Sequence, residues 1–229
     1  MTLVVVTGVG TEVGKTHVAA SLLRAWGKDG PVIGYKPVES GVSGGLGPDA
    51  ALLEESSTFH VKRPPYRVTL RAPVSPHLAA RMAGRAVDLE AIALEASRLR
   101  EAAPVVVELP GGLFSPLTDA LVNADLVERL RPDRVLLVAP NRLGVLHDVR
   151  AVFEAARARG LRLDGVVLSA VLTPDASAPT NAAELILTSG LPLLAVLPRG
   201  TIAELAASAP VRALLRLCRL ANPETAALE

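Results

Sequence analysis

The feature that most constrains this chain is a glycine-rich turn between a short apolar run and a helical pattern near the amino terminus. The apolar residues 3–7 lead directly into GVGTEVGKT at residues 8–16. In such a turn the backbone N–H groups point inward at an anion, and the start of the following helix adds positive potential. Lys15 can then reach the β- and γ-phosphates of a nucleotide, and the Thr16 hydroxyl can bind Mg²⁺. This context predicts a phosphate-binding loop (P-loop) rather than an ordinary strand-to-helix turn.

Six Val/Leu/Ile runs alternate with Ala/Leu/Arg segments of helical spacing. The runs lie at residues 3–7, 31–35, 104–109, 134–139, 165–171 and 192–197, and the helical segments at 18–28, 89–101, 119–130, 147–159, 181–188 and 203–219. Unbroken apolar runs are typical of strands buried on both faces, and their alternation with helices favours a parallel sheet. Only residues 61–76 resemble a linker. The pattern predicts one α/β domain over residues 1–229, with a doubly wound, mainly parallel sheet, helices on both faces and the P-loop NTPase architecture.

Composition bears on the partners and on the cellular compartment. The chain has 24 Lys and Arg against 23 Asp and Glu, so no strong net charge would attract nucleic acid or an anionic membrane. Cys218 is the only cysteine, which excludes an internal disulfide framework and a cysteine-based zinc cluster and suits a reducing compartment. The first residues lack the basic segment of a signal peptide. We therefore expect a cytoplasmic protein with small-molecule partners.

Charged side chains follow two other predicted strands. Lys36 comes directly after the run at 31–35, and Glu108 lies near the end of the run at 104–109. Ligands of such sheets bind at the carboxyl ends of the strands, so both side chains are expected beside the phosphate loop. The alternatives are a surface lysine and an acid that caps the next turn. Glu108 resembles a Walker-B acid, a carboxylate that binds Mg²⁺.

Several segments, in order and with their spacing, carry a family resemblance. They are the loop at 8–16, GYKPVESG at 34–41, APVSPH at 72–77, VELPGGLFSPL at 107–117 and LG at 143–144. Over about residues 2–200 the chain resembles the dethiobiotin synthetases. That resemblance implies carboxylation of 7,8-diaminononanoate with CO₂ and ATP, through a carbamate and a carbamoyl-phosphate mixed anhydride, and ureido ring closure to dethiobiotin, ADP and phosphate. The enzyme would be a Mg²⁺-dependent carbon–nitrogen ligase of biotin biosynthesis.

The resemblance also implies catalytic and metal-binding residues. A carbamate must approach a triphosphate, so cations are needed between the two anions, and Lys15 and Lys36 would supply them, with Thr11 hydrogen-bonded to an amine or carbamate. Mg²⁺ prefers oxygen ligands. Its implied ligands are Thr16, Asp49 and Glu108, although Asp49 could instead cap the helix that follows it. Gly10 stands where many members have an aspartate, so this chain is expected to bind Mg²⁺ with fewer carboxylates.

The remaining implied contacts belong to the nucleotide. ATP would be bound by Gly10, Thr11, Glu12, Val13, Gly14, Lys15, Thr16, Val107, Glu108, Ser169, Pro198, Arg199 and Gly200. Glu12 is expected to hold the shape of the loop by accepting backbone hydrogen bonds. Ser169 stands where many members read adenine with an asparagine, so base selectivity is expected to be loose or carried by backbone near Pro198.

The diamine side of the site is implied to reach a partner subunit. The substrate would be bound by Lys36, Ser40, Gly111, Gly112, Leu143, Gly144, Leu146 and His147. Its carboxylate would lie at the amino terminus of the helix near residue 144, across a twofold homodimer interface to which residues 147–159 contribute. His147 could donate to that carboxylate or be a simple exposed histidine.

Two other classes of P-loop protein share part of this sequence pattern. A switch or scaffold ATPase of the partitioning or metallocentre-insertion type usually has a signature lysine early in the loop, and residues 8–13 contain none. An amidotransferase-type synthetase needs a glutaminase domain with a nucleophilic cysteine, for which no chain remains. We predict no site in residues 201–229.

Overall fold

A computed structural model describes residues 1–220 of the chain. Its main sheet has six strands in the order β2-β5-β1-β6-β7-β8, and a second sheet pairs β3 with β4. The strands are β1 (Leu3–Gly8), β2 (Ile33–Tyr35), β3 (Val38–Ser40), β4 (Val68–Leu70), β5 (Val105–Glu108), β6 (Arg134–Pro140), β7 (Gly165–Ser169) and β8 (Leu193–Leu197). The helices are α1 (Lys15–Trp26), α2 (Pro48–Ser56), α3 (Pro76–Met82), α4 (Leu89–Ala102), α5 (Asn123–Leu130), α6 (Val145–Ala158), α7 (Asn181–Thr188), α8 (Ile202–Ala207) and α9 (Ala209–Arg219).

All pairings in the main sheet are parallel, so the carboxyl ends of its strands share one edge. Strand β1 lies between β5 and β6, and Val6 of β1 is level with Glu108 of β5. Every residue of β1, β5 and β6 is buried, as unbroken apolar runs predict for central strands. The predicted sheet is therefore confirmed, and it places the loop after β1 next to Glu108.

Two apolar cores lie on the two faces of the sheet. Neighbouring residues of β1 belong to different cores. Val5 packs with α4, α5, α6 and α7, whereas Val4 packs with α1, α8 and α9. This separation follows from the alternation of side chains along a strand. Helices thus cover both faces, as expected. None of the helices within residues 1–220 combines the length and the apolar character that crossing a lipid bilayer requires.

Several element boundaries differ from the sequence-based prediction. The segment 203–219 is two helices, because Pro210 cannot continue α8 and the Ser208 side chain instead accepts a hydrogen bond from Val211 N at the start of α9. Helix α5 begins at Asn123 rather than at 119, and α1 begins at Lys15 rather than at 18.

The segment 61–76 is not a linker over its whole length. It contains strand β4, which pairs with β3, and its last residue opens α3. Val68 and Leu70 are buried in the core that also contains α4. This segment therefore packs into the same core as the main sheet, and β3, β4 and α3 are elements that the sequence analysis did not predict.

Candidate active site

The loop between β1 and α1 has the conformation of an anion-binding turn. Gly14 has φ of 91°, a left-handed value that favours glycine, and a Cβ added there would lie 2.3 Å from Ser169 Oγ. Lys15 Nζ donates to Gly10 O at 2.7 Å, which curls the lysine over the loop. The amino terminus of α1 therefore opens onto the concave side of this loop, as phosphate binding requires.

Glu12 lies at the crown of the loop with an exposed side chain. Its φ of 57° is uncommon for a non-glycine residue. Within residues 1–220 its carboxylate accepts no hydrogen bond, so the expected backbone contacts of this side chain do not form there.

Four side chains meet at the carboxyl ends of β2 and β5 and at the starts of α1 and α2. Lys36 Nζ lies 2.6 Å from Glu108 Oε1 and 3.0 Å from Asp49 Oδ2, and Thr16 Oγ1 donates to Glu108 Oε1 at 2.9 Å. Lys36 is 3% exposed and Glu108 is 1% exposed. The sequence analysis expected these four residues around one Mg²⁺–triphosphate, and the fold links them through three contacts, from Thr16 to Glu108, from Glu108 to Lys36 and from Lys36 to Asp49.

Burial controls the charges of the two lysines differently. For Lys15, burial and then the nearby Lys36 ammonium lower the pKa to about 8. For Lys36, burial acts in the same direction, but Glu108 and Asp49 outweigh it and raise the pKa. Lys36 is therefore held as a cation at the floor of the site, whereas Lys15 loses its charge as the pH rises through about 8.

The donor set fits a magnesium ion that is bound mainly through phosphates. Burial raises the pKa of Glu108 against the opposing effect of Lys36, and among residues 1–220 Glu108 Oε2 is buried without a hydrogen-bond partner. Such an atom can bind a cation. The same residues contain no cluster of three or more His, Cys, Asp or Glu side chains that could hold a metal alone. Thr16, Asp49 and Glu108 are thus suited to Mg²⁺ that keeps water and phosphate ligands.

A cavity of about 840 Å³ extends from these residues. It is lined by predicted site residues, namely Thr11, Glu12, Val13, Gly14, Lys15, Thr16, Lys36, Ser40, Asp49, Glu108 and Gly111. Ser40 Oγ is buried and has no hydrogen-bond partner within the described chain. The far wall is formed by residues 73–76 and Ser115. The cavity therefore continues beyond the phosphate loop with room for a second substrate.

A second cavity, of about 970 Å³, lies on the other side of the loop crown. It is lined by Glu12, Val13 and Gly14 together with Ser169, Pro198, Arg199 and Gly200 at the ends of β7 and β8. The Arg199 side chain is held by a hydrogen bond, in which its Nη1 donates to Leu172 O at 2.9 Å. The predicted base-binding residues and the phosphate loop thus share one cavity.

The other predicted residues line neither cavity. Val107 is fully buried in β5, and Gly10 contributes its carbonyl to Lys15. Gly112 packs against the phosphate loop itself, because a Cβ added there would lie 3.1 Å from the backbone of Val9. Leu143, Gly144, Leu146 and His147 lie at the start of α6 and line neither cavity of the single chain.

Sequence reasoning missed two polar residues that shape the site. Asn123 is fully buried, and its Nδ2 donates to Pro110 O at 2.6 Å and to Gly112 O at 2.8 Å, which fixes the turn after β5. Glu39 lines the cavity of about 840 Å³ and accepts hydrogen bonds from the backbone of α2. The signal for Glu39 was its place in the segment at 34–41, between Lys36 and Ser40, whereas Asn123 carried no signal.

A six-stranded parallel sheet with a phosphate loop after its central strand β1, and with an acid at the tip of the neighbouring β5, defines a P-loop nucleoside triphosphatase. Solved structures agree: a ParA family ATPase from Chlorobium tepidum (TM-score 0.58, 11% identity, 96% of this chain and 99% of that one) and the septum site-determining protein MinD with Mg-ADP from Pyrococcus horikoshii (TM-score 0.56, 17% identity, 95% of each chain). At such identities the likeness concerns the fold alone.

Sequence comparisons identify the family more specifically than the fold does. Residues 2–204 match the family model described as "AAA domain". ATP-dependent dethiobiotin synthetases of Anaeromyxobacter dehalogenans and Nitrosospira multiformis are 41% and 38% identical, covering 84% of this chain and 88% and 86% of their own lengths. The Aromatoleum aromaticum synthetase is 38% identical over 92% of this chain and 95% of its own. The chain belongs to the family of ATP-dependent dethiobiotin synthetases, and it is an ATP- and Mg²⁺-using ligase.

Proposed function

We propose that this enzyme carboxylates 7,8-diaminononanoate with CO₂ and closes the ureido ring of dethiobiotin, using ATP. The observation that carries the proposal is Lys36, a buried cation between Glu108 and Asp49 on the floor of a cavity that also contains the phosphate loop. Switch ATPases usually carry their second lysine within the phosphate loop, so hydrolysis of ATP alone would not need a lysine at the end of β2, where Lys36 lies. Transfer of a phosphoryl group to another anion would, because the two anions repel each other in a partly dry site.

The proposed reaction has three steps. One amine of the diamine attacks CO₂ and loses a proton, which gives a carbamate. A carbamate oxygen then attacks the γ-phosphorus, which gives a carbamoyl phosphate and ADP. The second amine attacks the carbamoyl carbon, and phosphate leaves with the oxygen that came from CO₂ as the ring closes and a proton is lost.

The side chains of this enzyme have distinct tasks in those steps. Lys15 binds the β- and γ-phosphates, and Lys36 neutralises the carbamate as it meets the γ-phosphate. Thr11 and Ser40, both on the cavity wall, would hydrogen-bond the amines and the carbamate. Thr16, Asp49 and Glu108 would hold Mg²⁺, which offsets the charge that develops on the phosphate oxygens.

The nucleotide base would occupy the cavity beside Ser169, Pro198, Arg199 and Gly200. The Arg199 guanidinium already donates to Leu172 O, and Ser169 lies against Gly14. A serine cannot make the two hydrogen bonds that an amide side chain makes to adenine. Loose selectivity among nucleoside triphosphates is therefore part of the proposal.

The diamine site would be completed by a second copy of the chain. Leu143, Gly144, Leu146 and His147 are at the start of α6, outside the cavity of their own chain, where first-turn N–H groups can bind the substrate carboxylate of a partner. Large apolar side chains are exposed in the nearby loops and on α7, and these are Leu143, Leu172, Ile186 and Leu187. A symmetric homodimer would cover these side chains.

A cytoplasmic location is also part of the proposal, because a single buried cysteine suits a reducing compartment.

The test is to incubate the protein with diaminononanoate, bicarbonate and Mg-ATP, and to measure dethiobiotin and phosphate together. We expect equal amounts of both products, no phosphate without the diamine, and loss of both in the Lys36→Ala variant. ATP turnover that does not depend on the diamine would instead indicate a switch ATPase.

A further inference from the structure

The carboxylate of Glu39 anchors the beginning of helix α2. Glu39 lies in β3, is 6% exposed, and accepts hydrogen bonds from Asp49 N to Oε1 (2.9 Å) and from Ala50 N to Oε2 (3.0 Å). Pro48 at the first position of the helix has no N–H, so Asp49 and Ala50 supply the first donors of the helix. Both oxygens of one buried side chain are therefore bound by this first turn.

The chain that leads into α2 cannot fix the position of the helix by itself. Residues 41–47 include four glycines. Gly44 and Gly45 have φ of 145° and 68°, and a Cβ added at either would meet no atom within 4 Å. Gly47 differs, because a Cβ added there would lie 2.3 Å from Glu39 Cδ. The missing side chain at Gly47 thus leaves the space in which the Glu39 carboxylate reaches the helix.

Asp49 connects this anchor to the chemistry. Its backbone N–H is bound by Glu39, and its side chain lies 3.0 Å from Lys36 Nζ. We infer that Glu39 is a positioning residue, which fixes the first turn of α2 so that the Asp49 carboxylate faces Lys36 and the magnesium side of the site. This inference rests on the proposed metal role of Asp49. Glu39 itself contacts no reacting atom.

A purely structural role for Glu39 makes a different prediction. If Glu39 only capped α2, its loss would lower stability and leave the magnesium dependence of nucleotide binding unchanged. If it positions Asp49, the magnesium requirement must change even in a folded variant. The decisive readout is therefore the Mg²⁺ dependence of binding, not activity.

The experiment uses isothermal titration of the full chain with ADP at increasing Mg²⁺ concentration, without diamine. For Glu39→Gln, whose amide nitrogen cannot accept a hydrogen bond, we expect the half-maximal Mg²⁺ concentration to rise about tenfold, while ADP affinity without Mg²⁺ stays unchanged. Asp49→Asn should show a rise of the same kind, and the double variant should add little because both changes act on one contact. Glu55→Gln, on the exposed side of α2, is the matched control.

Gly47→Ala tests the same anchor without removing its charge, and it decides the matter if Glu39→Gln is too unstable to purify. It should raise the Mg²⁺ requirement as well. If Glu39→Gln and Gly47→Ala both keep the wild-type Mg²⁺ dependence while Asp49→Asn shifts it, the positioning role of Glu39 is overturned and the metal role of Asp49 stands. No shift in Asp49→Asn would overturn the metal role of Asp49 and the positioning role together. Because no diamine is present, neither result depends on whether dethiobiotin is formed.

Discussion

Lys36 and Glu108 form an ion pair at 2.6 Å between the carboxyl ends of the adjacent strands β2 and β5, with both side chains almost fully buried. Removing two charges from water is costly, and their attraction together with the hydrogen bonds of Asp49 and Thr16 offsets that cost. Removal of either charge would leave the other buried and unpaired. The pair therefore contributes to the stability of the fold as well as to the chemistry of the site.

Replacing Lys36 by methionine should destabilise the enzyme as well as inactivate it. The variant leaves Glu108 buried without its main partner, and we expect the free energy of unfolding to fall by about 3 kcal/mol. Urea unfolding at neutral pH measures this. The matched control is Lys28→Met, at an exposed lysine, which should change stability by about 0.5 kcal/mol or less. A Lys36→Met variant as stable as the wild type would contradict the account of this pair.

Lys15 should make nucleotide affinity depend on pH. Its pKa in the free protein is about 8, and its charged form binds phosphate, so the pKa must rise when a nucleotide binds. Affinity should therefore be fully present below pH 8 and fall as pH rises further, approaching about tenfold per pH unit. Titration with ATP on either side of pH 8 checks this. A Lys15→Arg variant, which stays charged, should lack this dependence, and an identical slope in that variant would refute the assignment.

Gly112→Ala should impair ATP binding more than diamine binding. The added methyl group would press on the backbone of Val9 and Gly10, at 3.1 and 3.2 Å, and would displace the phosphate loop. We expect the KM for ATP to rise about tenfold, since small displacements of binding groups are costly. Gly30→Ala is the control, because no atom lies within 4 Å of the added carbon. A rise in the KM for the diamine alone would show that Gly112 faces that substrate instead.

The homodimer can be tested at α7. Leu187 is 76% exposed in the single chain, and we expect Leu187→Asp to weaken dimerisation by about 2 kcal/mol, as the loss of a buried apolar anchor does. Leu94→Asp on α4, where the leucine is 75% exposed, is the matched control and should leave the dimer intact. Sedimentation over a range of concentrations distinguishes the two. A wild-type protein that remains a monomer would rule out the shared diamine site.

The sequence allowed the central sheet and much of the phosphate site to be predicted, because both depend on local patterns. Buried runs fix β1 and β5, so the loop that follows β1 and Glu108 at the end of β5 must lie at the same edge of a parallel sheet. The pairing of β3 with β4 was not predictable in this way, since each strand has only three residues and its partner lies far along the chain.

Contacts that depend on tertiary packing could not be predicted from the sequence either. The close neighbour of Gly112 is the backbone of Val9, about a hundred residues earlier, and nothing in the local sequence identifies it. Likewise, Glu39 meets the start of α2 only because the glycines between them fold back. The division of the last helical segment at Ser208 was a missed local signal, since Pro210 is visible in the sequence.

The most direct test of the proposed chemistry follows one oxygen atom. With bicarbonate labelled in its oxygens and unlabelled ATP, the carbamate oxygen that attacks the γ-phosphorus should leave with phosphate when the ring closes. We predict one labelled oxygen per phosphate released, in step with dethiobiotin, as measured by mass spectrometry of the phosphate. Unlabelled phosphate formed alongside dethiobiotin would show that water, not the carbamate, receives the phosphoryl group, and would contradict the account.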